Sequence, residues 1–178
     1  MEFNLEGENV KLRPLVDDDL PTIKRWHRNF SLKRLTGPGP FLPSLSQQVS
    51  ITSSTEEIQL GIALIETDEL IGEIGLSNII WSNRVAELGI CIGEDKYRGK
   101  GVGSEALELL IEYSFRELNL YRLQLVVVDY NKRAIKSYEK LGFQREGRMR
   151  EFGERDLKRY DLLAYGLLKS EWVKKSEA

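Results

Sequence analysis

The stretch Glu87-Leu88-Gly89-Ile90-Cys91-Ile92-Gly93-Glu94-Asp95-Lys96-Tyr97-Arg98-Gly99-Lys100-Gly101-Val102-Gly103-Ser104 changes character twice. An apolar run ends at Ile92 and a polar loop follows. From Ser104 onward, apolar residues at 106, 107, 110, 111, 115 and 118 recur at helical spacing. Between strand and helix stand Gly99, Gly101 and Gly103, with Arg98 and Lys100 beside them. Glycines let the backbone curl until successive N–H groups point into one concavity, and the following helix adds its own unpaired N–H groups and the positive end of its dipole. An anionic diphosphate is the natural occupant; the alternative is a glycine-rich turn with no ligand. A Walker A loop needs G-x-x-x-x-G-K-[ST] and a dinucleotide fingerprint needs G-x-G-x-x-G. The alternating glycines give G-x-G-x-G, which satisfies neither.

The rest of the chain is organised around this unit. Residues 58 to 65, 70 to 80 and 85 to 92 read as strands, and the short turns between them suit antiparallel hairpins. Residues 122 to 128 form a buried-type strand rich in β-branched residues. Asn131 can cap a helix reaching about Leu141, with Gly142 as its stop. Two final strands are expected at residues 144 to 149 and 160 to 168. At the other end, residues 9 to 15 alternate like a strand and Asp17, Asp18 and Asp19 offer caps for a helix to about Arg28. Residues 36 to 55, rich in Gly, Pro, Ser and Thr, read as a long loop with room for one short helix. The order is β-α, a strand meander, then β-α-β-α-β-β. That is an α+β chain with a mixed sheet, in which residues 85 to 128 make a right-handed crossover.

Composition narrows the chemistry. With 178 residues, 41% apolar and 30% charged, the chain is expected to form a single globular domain. A net charge of −2 argues against nucleic acid as a partner, and no apolar stretch is long enough to span a bilayer. The N-terminus lacks the pattern of a signal peptide, and the single Cys91 suits a reducing cytoplasm. One histidine and one cysteine cannot assemble a His/Cys metal site, so none is expected. The chemistry must therefore use carboxylates, tyrosines, backbone or a borrowed cofactor.

Arg98, Gly101 and Gly103, in this strand–loop–helix context, resemble the coenzyme A loop of the GNAT superfamily of amine N-acetyltransferases, whose pattern is Arg or Gln, two residues, Gly, any residue, then Gly or Ala. Ala86-Glu87-Leu88-Gly89-Ile90 and Asn131-Lys132-Arg133-Ala134-Ile135-Lys136-Ser137-Tyr138-Glu139-Lys140-Leu141-Gly142-Phe143 are similar to the branch holding ribosomal-protein N-terminal alanine acetyltransferases and spermidine acetyltransferases. So are Val10-Lys11-Leu12-Arg13-Pro14 and Glu146-Gly147-Arg148-Met149-Arg150-Glu151. The resemblance thins between residues 30 and 56.

What the resemblance implies is a GNAT-like fold: a mixed, mostly antiparallel sheet of about seven strands flanked by about four helices. The parallel strands at 85 to 92 and 122 to 128 would splay apart to take the pantetheine arm of acetyl-CoA. Its contacts would come from the backbone of Ile90, Cys91 and Ile92, from Arg98, Gly99, Lys100, Gly101, Val102, Gly103 and Ser104, and from Asn131 and Ala134. The implied reaction is direct acetyl transfer to a primary amine, either a protein N-terminus or a small molecule, in a ternary complex. A homodimer is an expectation of the same kind. Residues 93 to 97 look one residue longer than the matching loop of spermidine acetyltransferases.

Direct attack needs a neutral amine. An ammonium of pKa near 10.4 is only about 0.04% neutral at pH 7, a cost of roughly 4 to 5 kcal/mol. A general base is therefore valuable, and Glu87, at the start of the strand leading to the loop, is the candidate. It could instead orient the substrate cation or pair with an arginine. Tyr138, seven residues after Asn131, matches the family's general acid for the departing thiolate; the alternative is an amphipathic core tyrosine. Cys91 as a nucleophile would have only His27 for a base, and a small packed residue is the other reading. Trp26, Phe30, Phe41 and Trp81 could line an amine pocket or pack as core, and residues 145 to 159 could face an acidic acceptor or form a solvated hairpin. Two rivals to the enzyme remain: a non-catalytic acyl-CoA sensor, and a nucleotide-binding regulator.

Overall fold

The structure, a computed structural model, describes residues 5–35 and 56–176. Its centre is an eight-stranded sheet whose order across the sheet is β1-β2-β3-β4-β5-β6-β8-β7. The strands are β1 (Leu5–Glu6), β2 (Val10–Pro14), β3 (Ile58–Leu64), β4 (Leu70–Ile80), β5 (Val85–Ile92), β6 (Arg122–Val128), β7 (Gln144–Arg155) and β8 (Lys158–Leu168). Among the described residues only β5 and β6 pair in parallel; the other neighbours are antiparallel. The helices are α1 (Leu20–His27), the single turn α2 (Phe30–Lys33), α3 (Val102–Arg116), α4 (Lys132–Leu141) and α5 (Lys169–Ser176).

The meander and β6 follow the sequence reading closely. Two differences have simple causes. The short β1 adds a strand beyond the seven expected, pairing Leu5 with Leu12. The last hairpin is much longer than residues 144 to 149 and 160 to 168 suggest, because Asp156 and Leu157 both take positive φ (51° and 60°) between the paired Arg155 and Lys158. That is the backbone of a two-residue hairpin turn, made without the usual Asn or Gly. Leu157, 95% exposed, carries no packing that would announce it.

Alternation along the strands gives the sheet two apolar faces. Ala86 and Leu88 of β5 join α3 residues Ala106, Leu107, Leu110, Ile111 and Phe115, and α4 residues Tyr138 and Leu141, in the main core. On the other face Cys91 packs against a smaller cluster of Leu15, Ile23, Trp26, Leu32 and Leu70. Trp26, 2% exposed, is therefore core, with its indole N–H donating to Glu94 at 3.0 Å. Asp19 does not cap α1 through its side chain. Its carboxylate accepts from Arg13 at 2.7 and 3.0 Å and from the Val16 N–H at 2.9 Å, so it is bound inside the fold. Among the described residues no helix is long and apolar enough to cross a membrane. Residues 36–55, with Phe41, lie outside the described residues, as does the side chain of Phe30.

Candidate active site

The parallel pairing of β5 with β6 lasts for three residue pairs, Val85–Arg122, Ala86–Leu123 and Glu87–Gln124, and then stops. β5 continues to Ile92 and β6 to Val128. Between the diverging halves lies a cavity of about 400 Å³. Its sides are the β5 residues Leu88 to Ile92, Val126 to Val128 of β6, and the inner face of α4.

The ladder with β4 decides which peptide groups face that cavity. The Gly93 N–H donates to the Ile71 carbonyl at 2.9 Å, and Glu73–Cys91 and Gly75–Gly89 are partners in the same register. In an antiparallel pair, bonding to a given neighbour alternates. Odd-numbered residues here bond β4, so the N–H and C=O of Ile90 turn toward the split where β6 has left. The Ile92 carbonyl is already taken, accepting from Arg98 Nε at 2.9 Å.

At the far end, Gly99 and Gly101 have φ of 78° and 91°, a conformation that costs glycine little. Among the described residues an added Cβ at Gly101 would meet nothing within 4 Å, and Gly101 lines the cavity. Gly103 and Ser104, in the first turn of α3, line the cavity as well. The Arg98 side chain does not reach out. It bonds Ile92 and Gly93 carbonyls and pairs with Asp95 at 2.6 Å, bracing the loop against the end of β5. Lys100 is exposed and off the cavity, with Nζ 5.9 Å from the Tyr97 ring centre. Val102 is turned into the main core.

Asn131 ties two parts of the site together. Its Oδ1 accepts from the Ala134 N–H at 3.3 Å, capping α4, while its Nδ2 donates to the Leu35 carbonyl at 3.1 Å. Leu32 and Leu35 close one side of the cavity. The same corner is held by Tyr130, whose hydroxyl donates to the Arg34 carbonyl at 2.7 Å, and by Arg155, which bonds both groups. Asp156, at the hairpin tip, pairs with Arg34 at 2.8 Å. The hairpin of residues 145 to 159 thus buttresses the wall of the cavity.

Tyr138 lines the cavity at 7% exposure. Burial pushes its phenol up to about 12, and among the described residues nothing hydrogen-bonds its hydroxyl. Cys91 lines it too; burial first, then the Glu73 carboxylate, push its thiol up to about 12 against an opposing pull from Arg98. His27 is engaged with Glu73, Nε2 to Oε2 at 2.9 Å. Glu87 lies one step beyond the wall, on the β5 face it shares with Gly89 and Cys91. A bulge in β4 puts Asn78 in the left-handed region (φ 48°), from where its Nδ2 donates to Glu87 at 2.9 Å. Gln124 Nε2 also donates to Glu87, at 3.4 Å. Both partners are neutral.

A family model described as the acetyltransferase (GNAT) domain matches residues 9–144. The chain belongs to the GNAT acetyltransferases. This acetyltransferase is 38% identical over 176 residues to p20, an uncharacterized N-acetyltransferase of Bacillus licheniformis, covering 95% of this chain and 98% of that one. It is 35% identical over 148 residues to the spermidine N(1)-acetyltransferase of Escherichia coli K12, covering 82% and 79%. Among solved structures, the spermidine N-acetyltransferase of Vibrio cholerae in complex with CoA and spermine superposes with a TM-score of 0.80 at 24% identity, over 92% of this chain and 98% of that one, a likeness of fold.

The GNAT acetyl donor is acetyl-CoA, and the residues present suit it. Gly101, with no described atom within 4 Å of a Cβ position, leaves the loop open just before α3, and the peptide groups of Ile90, turned to the split, match those of an amide chain. The acetyltransferase also presents Arg133, whose Nη1 would lie 3.9 Å from a Cβ on Gly99. Arg133, Ser137, Tyr97 and the β6 residues are cavity residues that the sequence reading did not single out. For Arg133 and Ser137 a signal existed: they fall within the Asn131–Tyr138 segment, four residues apart and flanking Ala134 and Tyr138 on α4.

Proposed function

We propose that this acetyltransferase moves the acetyl group directly to a primary amine held beside the cofactor, and that a small cationic amine of the spermidine kind is its acceptor. The observation that carries the direct route is the environment of Cys91. A thiol held near 12 is almost wholly protonated at neutral pH, and among the described residues no hydrogen bond joins it to His27 or to another base. An acyl-enzyme on Cys91 has neither nucleophile nor base.

Bound acetyl-CoA supplies an activated thioester. The backbone of residues 99 to 103 holds the phosphate end through N–H groups, and Ile90 pairs its peptide groups with the amide arm. Glu87, with only neutral amide partners among the described residues, has no cation of its own to pair with and takes the proton of the incoming ammonium, directly or through one water. Tyr138, kept protonated by burial, donates to the departing sulfur. A thiolate forming in the same desolvated space also has its proton affinity raised above the free value of about 8.5, which narrows the mismatch with the phenol. The likeness to a spermidine acetyltransferase supports the acceptor class.

The test is thiol release from acetyl-CoA in the presence of spermidine, simple diamines, aminoglycosides, or peptides with free N-termini, with product mass. Release that depends on spermidine or a diamine, and gives the N-acetyl product, is the expected result. Release only with peptide N-termini would overturn the acceptor assignment; CoA binding without release on any amine would overturn transfer itself.

A further inference from the structure

Four glycines stand inside strands β3 to β5, and three of them have an evident packing reason. A Cβ on Gly61 would run into Leu70 and Leu15, one on Gly72 into the Cys91 carbonyl, and one on Gly75 into the Ile58 carbonyl. The fourth, Gly89, is different. Among the described residues nothing lies within 4 Å of where its Cβ would be, and its φ is not in the left-handed region. It is exposed, it lines the cavity, and it sits on β5 just beyond the point where β6 departs. A glycine in such a strand interior is a liability, since it loses conformational freedom and packs nothing. Neither the fold nor the turn chemistry requires it.

Its direction supplies a reason. Side chains alternate along β5, so a side chain at Gly89 would project on the face of Glu87 and Cys91, away from the main core of Ala86 and Leu88. Residues two apart on a strand are about 6 to 7 Å apart, so that space lies immediately between Glu87 and the cavity wall. Any amine that gives its proton to Glu87 and its nitrogen to an acetyl group in the cavity must cross it. We infer that Gly89 is a specificity-determining position: its missing side chain is the passage by which the acceptor amine reaches the acetyl group, and it sets how bulky that amine can be. The inference rests on the transfer reading above.

The test compares Gly89→Ala and Gly89→Val with the wild type in thermal melting, in CoA affinity by calorimetry, and in kcat/KM over amines of increasing branching at the carbon that carries the nitrogen. Melting temperature is expected unchanged or higher, because Ala fits without a clash and restrains the unfolded chain. CoA affinity should stay within about twofold, while kcat/KM falls by about tenfold for unbranched amines in the Ala variant, and further for branched amines and for Val, as for a site narrowed by one or more methyl groups. Three results would overturn the inference: a lower melting temperature, CoA affinity falling in step with turnover, or kcat/KM preserved for every amine. If the wild type binds CoA yet acetylates no amine, the transfer reading itself has failed and this inference falls with it.

Discussion

The two ends of β5 are built by different means. At the cofactor end, one contiguous stretch does nearly everything. Gly99 and Gly101 supply the backbone curl, Arg98 braces the loop on the strand it leaves, and α3 starts where the loop stops. Around Glu87, at the end proposed for the amine, the parts come from segments far apart in sequence. Asn78 on a β4 bulge holds Glu87, while across the cavity, past the end of β6, Tyr130, Asn131, Arg155 and Asp156 together hold the Arg34–Leu35 corner. One end is fixed by local backbone geometry and the other by side chains reaching across the fold. Damage to the first should fall on cofactor affinity, and damage to the second on the acceptor. Tyr138 and Glu87 sit between them and should move turnover most.

The largest effect is expected for Tyr138→Phe. Removing a general acid typically costs about 10²- to 10⁴-fold, and kcat should fall within that range with CoA affinity unchanged. A fall of less than threefold would return Tyr138 to the role of a core residue. Because the phenol is held near 12, its deprotonation should leave no alkaline limb in the wild-type rate profile below about pH 11. The same burial has a consequence for stability. Tyr138 and Cys91 both have folded values near 12, raised above their ordinary 10.0 and 9.0. The folded state therefore holds these protons more tightly, so stability is fully present below about pH 9 and is lost as pH rises toward 12. Denaturant unfolding at pH 7, 9 and 10.5 should show that decline, by a few kcal/mol at most once both groups are charged when unfolded. Tyr138→Phe should make the decline shallower, leaving the part that Cys91 contributes; an unchanged slope in that variant would contradict the burial argument.

Glu87→Gln comes next, with an expected loss of about 10- to 10²-fold in kcat/KM at pH 7. A carboxylate that takes the proton is needed less as the amine deprotonates by itself. The deficit should shrink as pH approaches the pKa of the acceptor, near 10 for an alkyl ammonium. A deficit that is flat with pH would instead mean that Glu87 only positions the cation.

The difference between the two ends also explains what the sequence could disclose. The cofactor loop, the helix behind it, the Asn131 cap and the Gly142 stop at φ 103° are all written in adjacent residues. So are the meander strands, whose alternation and turns carry the register. The long hairpin was hidden because Asp156-Leu157 makes a tight turn without a turn-forming sequence, and Glu151 at φ 51° interrupts the alternation of β7. The partners of Glu87 were hidden because Asn78 and Gln124 reach it only after a bulge and a parallel pairing that no local pattern records. Arg98 was read correctly as part of the loop, but not that its guanidinium is turned back onto Ile92 and Gly93. A motif gives a residue's place in the chain and leaves the aim of a long side chain to its neighbours.

Asn131 offers the finest test, because a single side chain serves both ends. Its oxygen caps α4 and its nitrogen holds Leu35, so two substitutions can separate the jobs. Asn131→Ala removes both; loss of a cap should cost about 1 kcal/mol of stability. Asn131→Ser keeps an oxygen able to accept from the Ala134 N–H, and Ser ranks with Asn as a cap, so stability should stay within a few tenths of a kcal/mol. The serine is too short to replace the bond to Leu35. Both variants should therefore raise the acceptor KM, by about threefold if the lost tether is an ordinary hydrogen bond, with kcat nearly steady. A serine variant with wild-type KM would mean that Tyr130 and Arg155 hold the corner alone. The Leu32–Leu35 wall of the cavity would then be independent of the helix that carries Tyr138.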